Sequence, residues 1–201
     1  MNICIFGGAF DPIHNGHIAI AQEAVKRFPI EKLIFMVSKE PPHKQNHIAS
    51  FQDRYNMVEI AVSDLGEKYC VSDLENRSDG LSYTYKTLTE IKKIYFNDEI
   101  FFLVGSDIFA DIENWRNWER LFDLAIFIVG YRPGVSFEKM KEMLPELVIR
   151  KIDDGIRIKL LDLSSVNVSS SDIRKSFAGF KKNIPARVAE YIEKNKLYKE
   201  V

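Results

Sequence analysis

Apolar positions along the chain fall into short runs and longer spaced stripes. Asn2–Phe6 is apolar and β-branched and closes on Gly7-Gly8, the pattern of a short buried strand. Ile18, Ala21, Val25 and Phe28 then recur at helical spacing until Pro29 stops the helix. Lys32–Val37 predicts a second strand. Phe51, Tyr55, Val58, Val62 and Leu65 predict a long amphipathic helix, and Tyr69–Leu74 a third strand. Thr84–Tyr95 predicts a helix, Glu99–Val104 a strand, Trp115–Leu121 a short helix and Leu124–Val129 a strand. Phe137–Leu144 predicts a helix and Ile156–Leu163 a strand. Ser171–Phe177 and Ala186–Glu193 complete the series as helices, the second opened by Pro185.

Strand and helix alternate throughout, which predicts an α/β fold with a doubly wound parallel sheet. Runs apolar on both faces agree, because a parallel sheet is covered on both sides. No repeat or linker divides the chain. It reads as one domain over 1–201, with a small helical part from about 169–201. In such a sheet ligands bind beyond the carboxyl ends of the strands. That directs attention to the loops Gly7–His17, Ser38–His47, Glu75–Thr87, Gly105–Trp118 and Gly130–Gly134.

Composition narrows the setting. With 201 residues, 46% hydrophobic and 28% charged, the chain suits a globular core and excludes long disorder. Lys+Arg 28 against Asp+Glu 29 leaves a net charge of -1, so no global basic field calls for nucleic acid, and an anion site must be local. Cys4 and Cys70 sit among apolar neighbours and are expected to be buried thiols in a reducing, cytoplasmic setting. No signal peptide is legible, and no apolar run approaches the roughly 20 residues of a membrane span. Oligomeric state is not legible, and a homo-oligomer stays open.

The densest chemistry is the string from Gly7 to His17, GGAFDPIHNGH. Two glycines let the backbone turn and approach a ligand. A helix beginning near His14 to His17 offers unpaired amides and a positive dipole end to phosphate. His14 and His17, three apart, share a helix face. The pair is also half of a zinc site, but no third ligand is evident. Near the other end, Ser169-Ser170-Ser171-Asp172-Ile173-Arg174 places serine caps before a helix. Arg174 stands one turn in as a fixed cationic fork.

The first string resembles the GGxFDPxHxGH signature of the nucleotidyltransferase superfamily, with Ala9 where Thr is frequent. The second resembles that superfamily's SSTxIR motif, with Ser171 at the Thr position. The resemblance implies a Rossmann-like fold in which Gly7, Gly8, Ala9, Phe10, His14, His17, Ser169, Ser170, Ser171, Ile173 and Arg174 hold the phosphates of ATP. His14, His17 and Arg174 would be catalytic. Between the two motifs, Pro41-Pro42-His43-Lys44, Ser82-Tyr83-Thr84 with Thr87-Leu88, Gly105-Ser106-Asp107, Trp115 with Trp118, and Arg132-Pro133-Gly134 follow in order. A Pro185, Val188, Tyr191, Ile192 tail closes the series.

That order is similar to the bacterial nicotinate mononucleotide adenylyltransferases. It implies ATP and nicotinate mononucleotide as partners, with Mg2+ carried by phosphates and water. Trp115 would stack on the pyridine ring, and amides near Thr84 and Trp118 would take the nicotinate carboxylate. Ser82 and Tyr83 share that region. His43 and Lys44 would meet the mononucleotide phosphate. Gly105 and Asp107 would lie at the ATP side, Asp107 on a ribose hydroxyl, with Arg132 adding positive charge near the substrate. Nicotinamide mononucleotide and phosphopantetheine remain alternative acceptors, and a silent nucleotide sensor an alternative role. A redox Rossmann enzyme is disfavoured by the missing GxGxxG after the first strand.

Overall fold

The computed structural model describes residues 1–40, 49–77, 80–131, 142, 144, 146–153, 157–162 and 168–198. Its strands are β1 (Asn2–Gly8), β2 (Lys32–Val37), β3 (Tyr69–Ser72), β4 (Glu99–Gly105), β5 (Ile126–Tyr131) and β6 (Ile158–Asp162). All pair in parallel, in the order β3-β2-β1-β4-β5-β6. Strand order therefore reverses between β1 and β4. In open parallel sheets ligands bind outside the carboxyl ends of the strands at such a switch point.

The helices are α1 (Asn15–Arg27), α2 (Phe51–Ser63), α3 (Thr84–Ile94), α4 (Ser106–Phe109) and α5 (Trp118–Leu124). They continue as α6 (Glu146–Asp153), α7 (Ser170–Lys175), α8 (Phe177–Phe180) and α9 (Ala186–Lys194). Alternation along the strands sends side chains to two separate cores. Cys4, Phe6, Phe101 and Leu103 face one side with Ala21 and Ala24 of α1, Met57 and Val58 of α2 and Val188 of α9. Ile3, Ile5, Ile100 and Phe102 face the other with Leu88 of α3, Leu121 of α5 and Val148 of α6. This is the two-sided burial that the apolar runs predicted.

Several boundaries differ from the sequence reading. β1 continues through both glycines, which pair with Met36 and Val37, because a backbone without Cβ still makes the ladder. Tyr69–Leu74 is a strand only to Ser72, and Leu74–Arg77 turns into a 3-10 helix. Trp115–Leu121 is not one helix. A 3-10 turn, Ile112–Asn114, ends at Trp115, and Asn117 with φ 55 breaks the path before α5 starts at Trp118; asparagine tolerates that left-handed conformation. α6 has no counterpart in the sequence reading, although Val148 and Ile152 stand at helical spacing. The helix predicted over Phe137–Leu144 lies outside the described residues, apart from 142 and 144. Cys4 is fully buried, whereas Cys70, on the edge strand β3, is only partly so. Among the described residues no helix is long and apolar enough to cross a membrane.

Candidate active site

The loop from Gly7 to His14 leaves β1 at the switch point. Gly8 is required there by close packing, since a Cβ would stand 2.9 Å from the Phe10 ring. Phe10 takes φ 49 and is 2% exposed, packed edge-on against Phe6 and against His17. Its side chain therefore belongs to the core.

His14 caps α1. Its Nδ1 accepts from the Gly16 amide at 3.1 Å, while the Nδ1 of His17 accepts from the His14 amide at 3.3 Å. The two rings stack with centroids 3.7 Å apart. An Nδ1 that accepts from a backbone amide carries no proton, so in both rings Nε2 is the protonated nitrogen and the donor. The capping contacts thus set the tautomer and orientation of both imidazoles.

The distant serine segment folds onto this loop. Ser169 caps α7, accepting from the Asp172 amide at 3.1 Å. Ser170 donates to the Pro12 carbonyl at 2.9 Å. Arg174 donates through Nη1 to the Asp11 carbonyl at 2.7 Å and through Nη2 to Ser171 Oγ at 3.1 Å. Hydrogen bonds from a charged donor contribute about 1.5–3 kcal/mol each, so the contact is substantial. Ile173 is 0% exposed, its amide bonded to the Ser169 carbonyl. It anchors α7 in the core, and its side chain does not face the cleft.

Residues with no assigned role in the sequence reading hold the loop from behind. The Asp11 carboxylate, 3% exposed, accepts from the Tyr198 hydroxyl at 2.5 Å and the Ala49 amide at 3.3 Å. Burial and the adjacent Asp11 push the Tyr198 hydroxyl well above the ordinary tyrosine range. Arg54 of α2 donates to the carbonyls of Ala9 and Ser38, both at 2.7 Å. Burial pulls its pKa down, and the charge of Asp11 opposes that. A signal for Arg54 exists in the sequence: it shares the buried stripe of α2 with Met57, Val58, Ala61 and Val62. Tyr198 leaves no such mark, because nothing local shows where the end of the chain lies.

Of the acceptor-side candidates, Ser82 and Tyr83 make contacts that link separate loops. Ser82 Oγ accepts from the amides of Lys39 and Glu40 at 3.1 and 3.2 Å, joining the loop after β2 to the start of α3. Arg116 stands over the Tyr83 ring, 5.1 Å from its centroid, which brings the tryptophan segment beside Tyr83 and Thr84. Trp115 is partly buried edge-on to Phe102, and Trp118 edge-on to Phe122. Gly105 ends β4 with open space where a Cβ would be, and exposed Asp107 follows in α4. His43, Lys44 and Arg132 lie outside the described residues.

Comparison with known proteins gives this geometry its family. The cytidylyltransferase-like family model matches residues 5–176. The probable nicotinate-nucleotide adenylyltransferase of Clostridium tetani is 36% identical over 97% of this chain and 98% of its own. The counterpart from Desulfitobacterium hafniense is 38% identical over 98% of this chain and 95% of its own. Among solved structures, Plasmodium falciparum nicotinic acid mononucleotide adenylyltransferase complexed with NaAD superposes with a TM-score of 0.79 at 26% identity. That match covers 98% of this chain and 97% of that one. The same enzyme complexed with APC gives a TM-score of 0.76, at 25% identity and over 98% and 96% of the two chains. With the family matched over most of its length and these relatives aligned end to end, the chain belongs to the cytidylyltransferase-like family and, within it, to the nicotinate-nucleotide adenylyltransferases.

Proposed function

We propose that this protein transfers the adenylyl group of MgATP to nicotinate mononucleotide, giving nicotinate adenine dinucleotide and pyrophosphate. The observation that carries the reading is the docking of the serine segment on the first loop. Ser170 on Pro12 and Arg174 on Asp11 tie the arginine segment to the loop that carries the imidazole pair, which supports a shared phosphate grip. Relatives aligned along their whole length bear the same activity in their names.

An oxygen of the mononucleotide 5′-phosphate attacks the α-phosphorus in line. The bond from that phosphorus to the bridging oxygen of the leaving group breaks, and pyrophosphate departs with the electron pair. The attacking phosphate is already ionised, so no side-chain nucleophile is needed. Both reactants are anionic, and catalysis rests on alignment and charge stabilisation. His14 and His17 donate Nε2–H bonds to phosphate oxygens, their rings held by the cap. Arg174 stabilises charge gathering on pyrophosphate. The Ser169–Ser171 segment grips the β- and γ-phosphates, and Trp115 stacks on the pyridine ring. Asp107 takes a ribose hydroxyl.

No three His, Cys, Asp or Glu side chains converge among the described residues. Mg2+ is read as a hard cation that would arrive with ATP, held mainly by phosphates and water. Held in that way, Mg2+ would supply neutralisation of phosphate charge.

The test is a pyrophosphate-release assay with ATP and three acceptors: nicotinate mononucleotide, its amide and phosphopantetheine. The expected order has nicotinate mononucleotide first by kcat/KM. Release with phosphopantetheine alone, or with no acceptor, overturns the proposal.

A further inference from the structure

One buried and one half-buried charged side chain link the loop after β1 to the start of α3. Arg54 is 1% exposed and spans two loops, reaching Ala9 after β1 and both Ser38 and Lys39 after β2, the last at 3.3 Å. Beyond it, Glu75 stands in the 3-10 turn after β3. Its Oε1 accepts from the Thr87 hydroxyl of α3 at 2.7 Å. Burial pushes the Glu75 carboxyl above the usual carboxylate range, opposed by Thr87, Ser82, Lys39 and Ser38, and its charge acts on Arg54. Ser82 in turn accepts from the Lys39 and Glu40 amides on its hydroxyl and donates its own amide to the Glu40 carbonyl. One connected set of contacts therefore runs from Ala9 through Arg54 and the β2 exit to Ser82, Glu75 and Thr87.

Fold stability alone is a poor reason for this arrangement. Arg54 Nε and Glu75 Oε2 are both shut off from water and find no hydrogen-bond partner among the described residues. Burying a charge with unmet hydrogen-bonding capacity is costly, and a well-packed uncharged side chain generally serves stability better. What the pair supplies is geometry. The carboxylate holds the Thr87 hydroxyl in the first turn of α3, Ser82 ties the start of α3 to the β2 exit, and the guanidinium ties the β2 exit to the phosphate loop.

We propose that Glu75 is a positioning residue for the acceptor. It fixes the Ser82–Thr87 segment so that the amides there meet the acceptor's carboxylate, with Arg54 holding this segment in register with the ATP loop. The inference rests on the function proposed above and adds to it a residue that touches neither substrate.

The experiment uses the full chain and follows pyrophosphate release with each substrate varied in turn. Glu75→Gln is expected to raise KM for nicotinate mononucleotide about five- to tenfold, the scale of losing one buried hydrogen bond. KM for ATP and kcat should stay within about twofold. Thr87→Val should move the acceptor KM in the same sense, and Thr87→Ser should restore it. Equal changes in both KM values, or a fall in kcat alone, overturn the positioning role. If Glu75→Gln does not fold, the Thr87→Val and Thr87→Ser pair decides by the same split. Wild-type turnover is measured first. Its absence with nicotinate mononucleotide overturns the proposed function instead, and the split is then read with the acceptor that the wild type does use.

Discussion

The hydroxyl of Tyr198 donates to the carboxylate of Asp11 at 2.5 Å, across 187 positions of sequence. Arg174 grips the carbonyl of that same Asp11 at 2.7 Å. The end of the chain thereby braces the loop that carries the histidine pair. Tyr191 reinforces the arrangement by donating to Asp53 at 3.0 Å, which holds α9 on α2.

Removal of that hydroxyl should be felt as stability with a defined pH dependence. Tyr198→Phe leaves a buried carboxylate short of a donor, and a loss of about 1–3 kcal/mol is expected. An unfolded tyrosine titrates near 10, while burial and Asp11 hold the folded group well above that. The folded state keeps its proton where the unfolded state loses it, so the contribution is whole below about pH 10 and declines as pH rises further. The melting-temperature gap between wild type and Tyr198→Phe should therefore shrink from pH 9 to pH 11. A constant gap would contradict the linkage.

The imidazole tautomers are a direct consequence of the cap. Nitrogen-correlated NMR of the histidine side chains should show Nε2 protonated in both His14 and His17 at neutral pH. A proton on Nδ1 in either ring breaks the capping geometry and, with it, the assignment of Nε2 as donor.

Loss of the charge stabilisers should slow chemistry more than it weakens binding. His17→Ala and Arg174→Ala are each expected to lower kcat about 10²–10³-fold, the scale of removing one preorganised donor. Steady-state kinetics at saturating substrates checks this, and unchanged turnover in both variants removes their catalytic roles.

Trp115 offers a test of substrate assignment. Trp115→Ala should raise KM for nicotinate mononucleotide more than for ATP, because base stacking on an aromatic is worth about 1–3 kcal/mol. Equal effects on the two substrates would remove the stacking role.

Gly8 tests the packing behind the loop. Gly8→Ala should cost about 1–3 kcal/mol, since the new methyl meets the buried Phe10 ring. Thermal unfolding should show the loss, and Gly8→Ala with Phe10→Leu should recover part of it. If the single variant melts with the wild type, the close approach is not a constraint.

The sequence by itself determined the alternation of strand and helix, the two-faced burial of β1 and β4, and the two motifs that flank the chemistry. Those features are local: a period of apolar residues, a pair of glycines, a serine cap. It did not locate the breaks at Asn117 and Ser72, which depend on backbone conformations that several residue types adopt. It grouped His14, His17 and Arg174 as one phosphate grip, and gave no role to Arg54, Glu75, Asp11 and Tyr198. Only the tertiary structure decided that Phe10 and Ile173 belong to the core, and that Tyr198 closes on Asp11. The reason is physical. A hydrogen bond between residues far apart in sequence leaves no periodic mark, and whether a side chain meets solvent or core depends on what the rest of the chain brings against it.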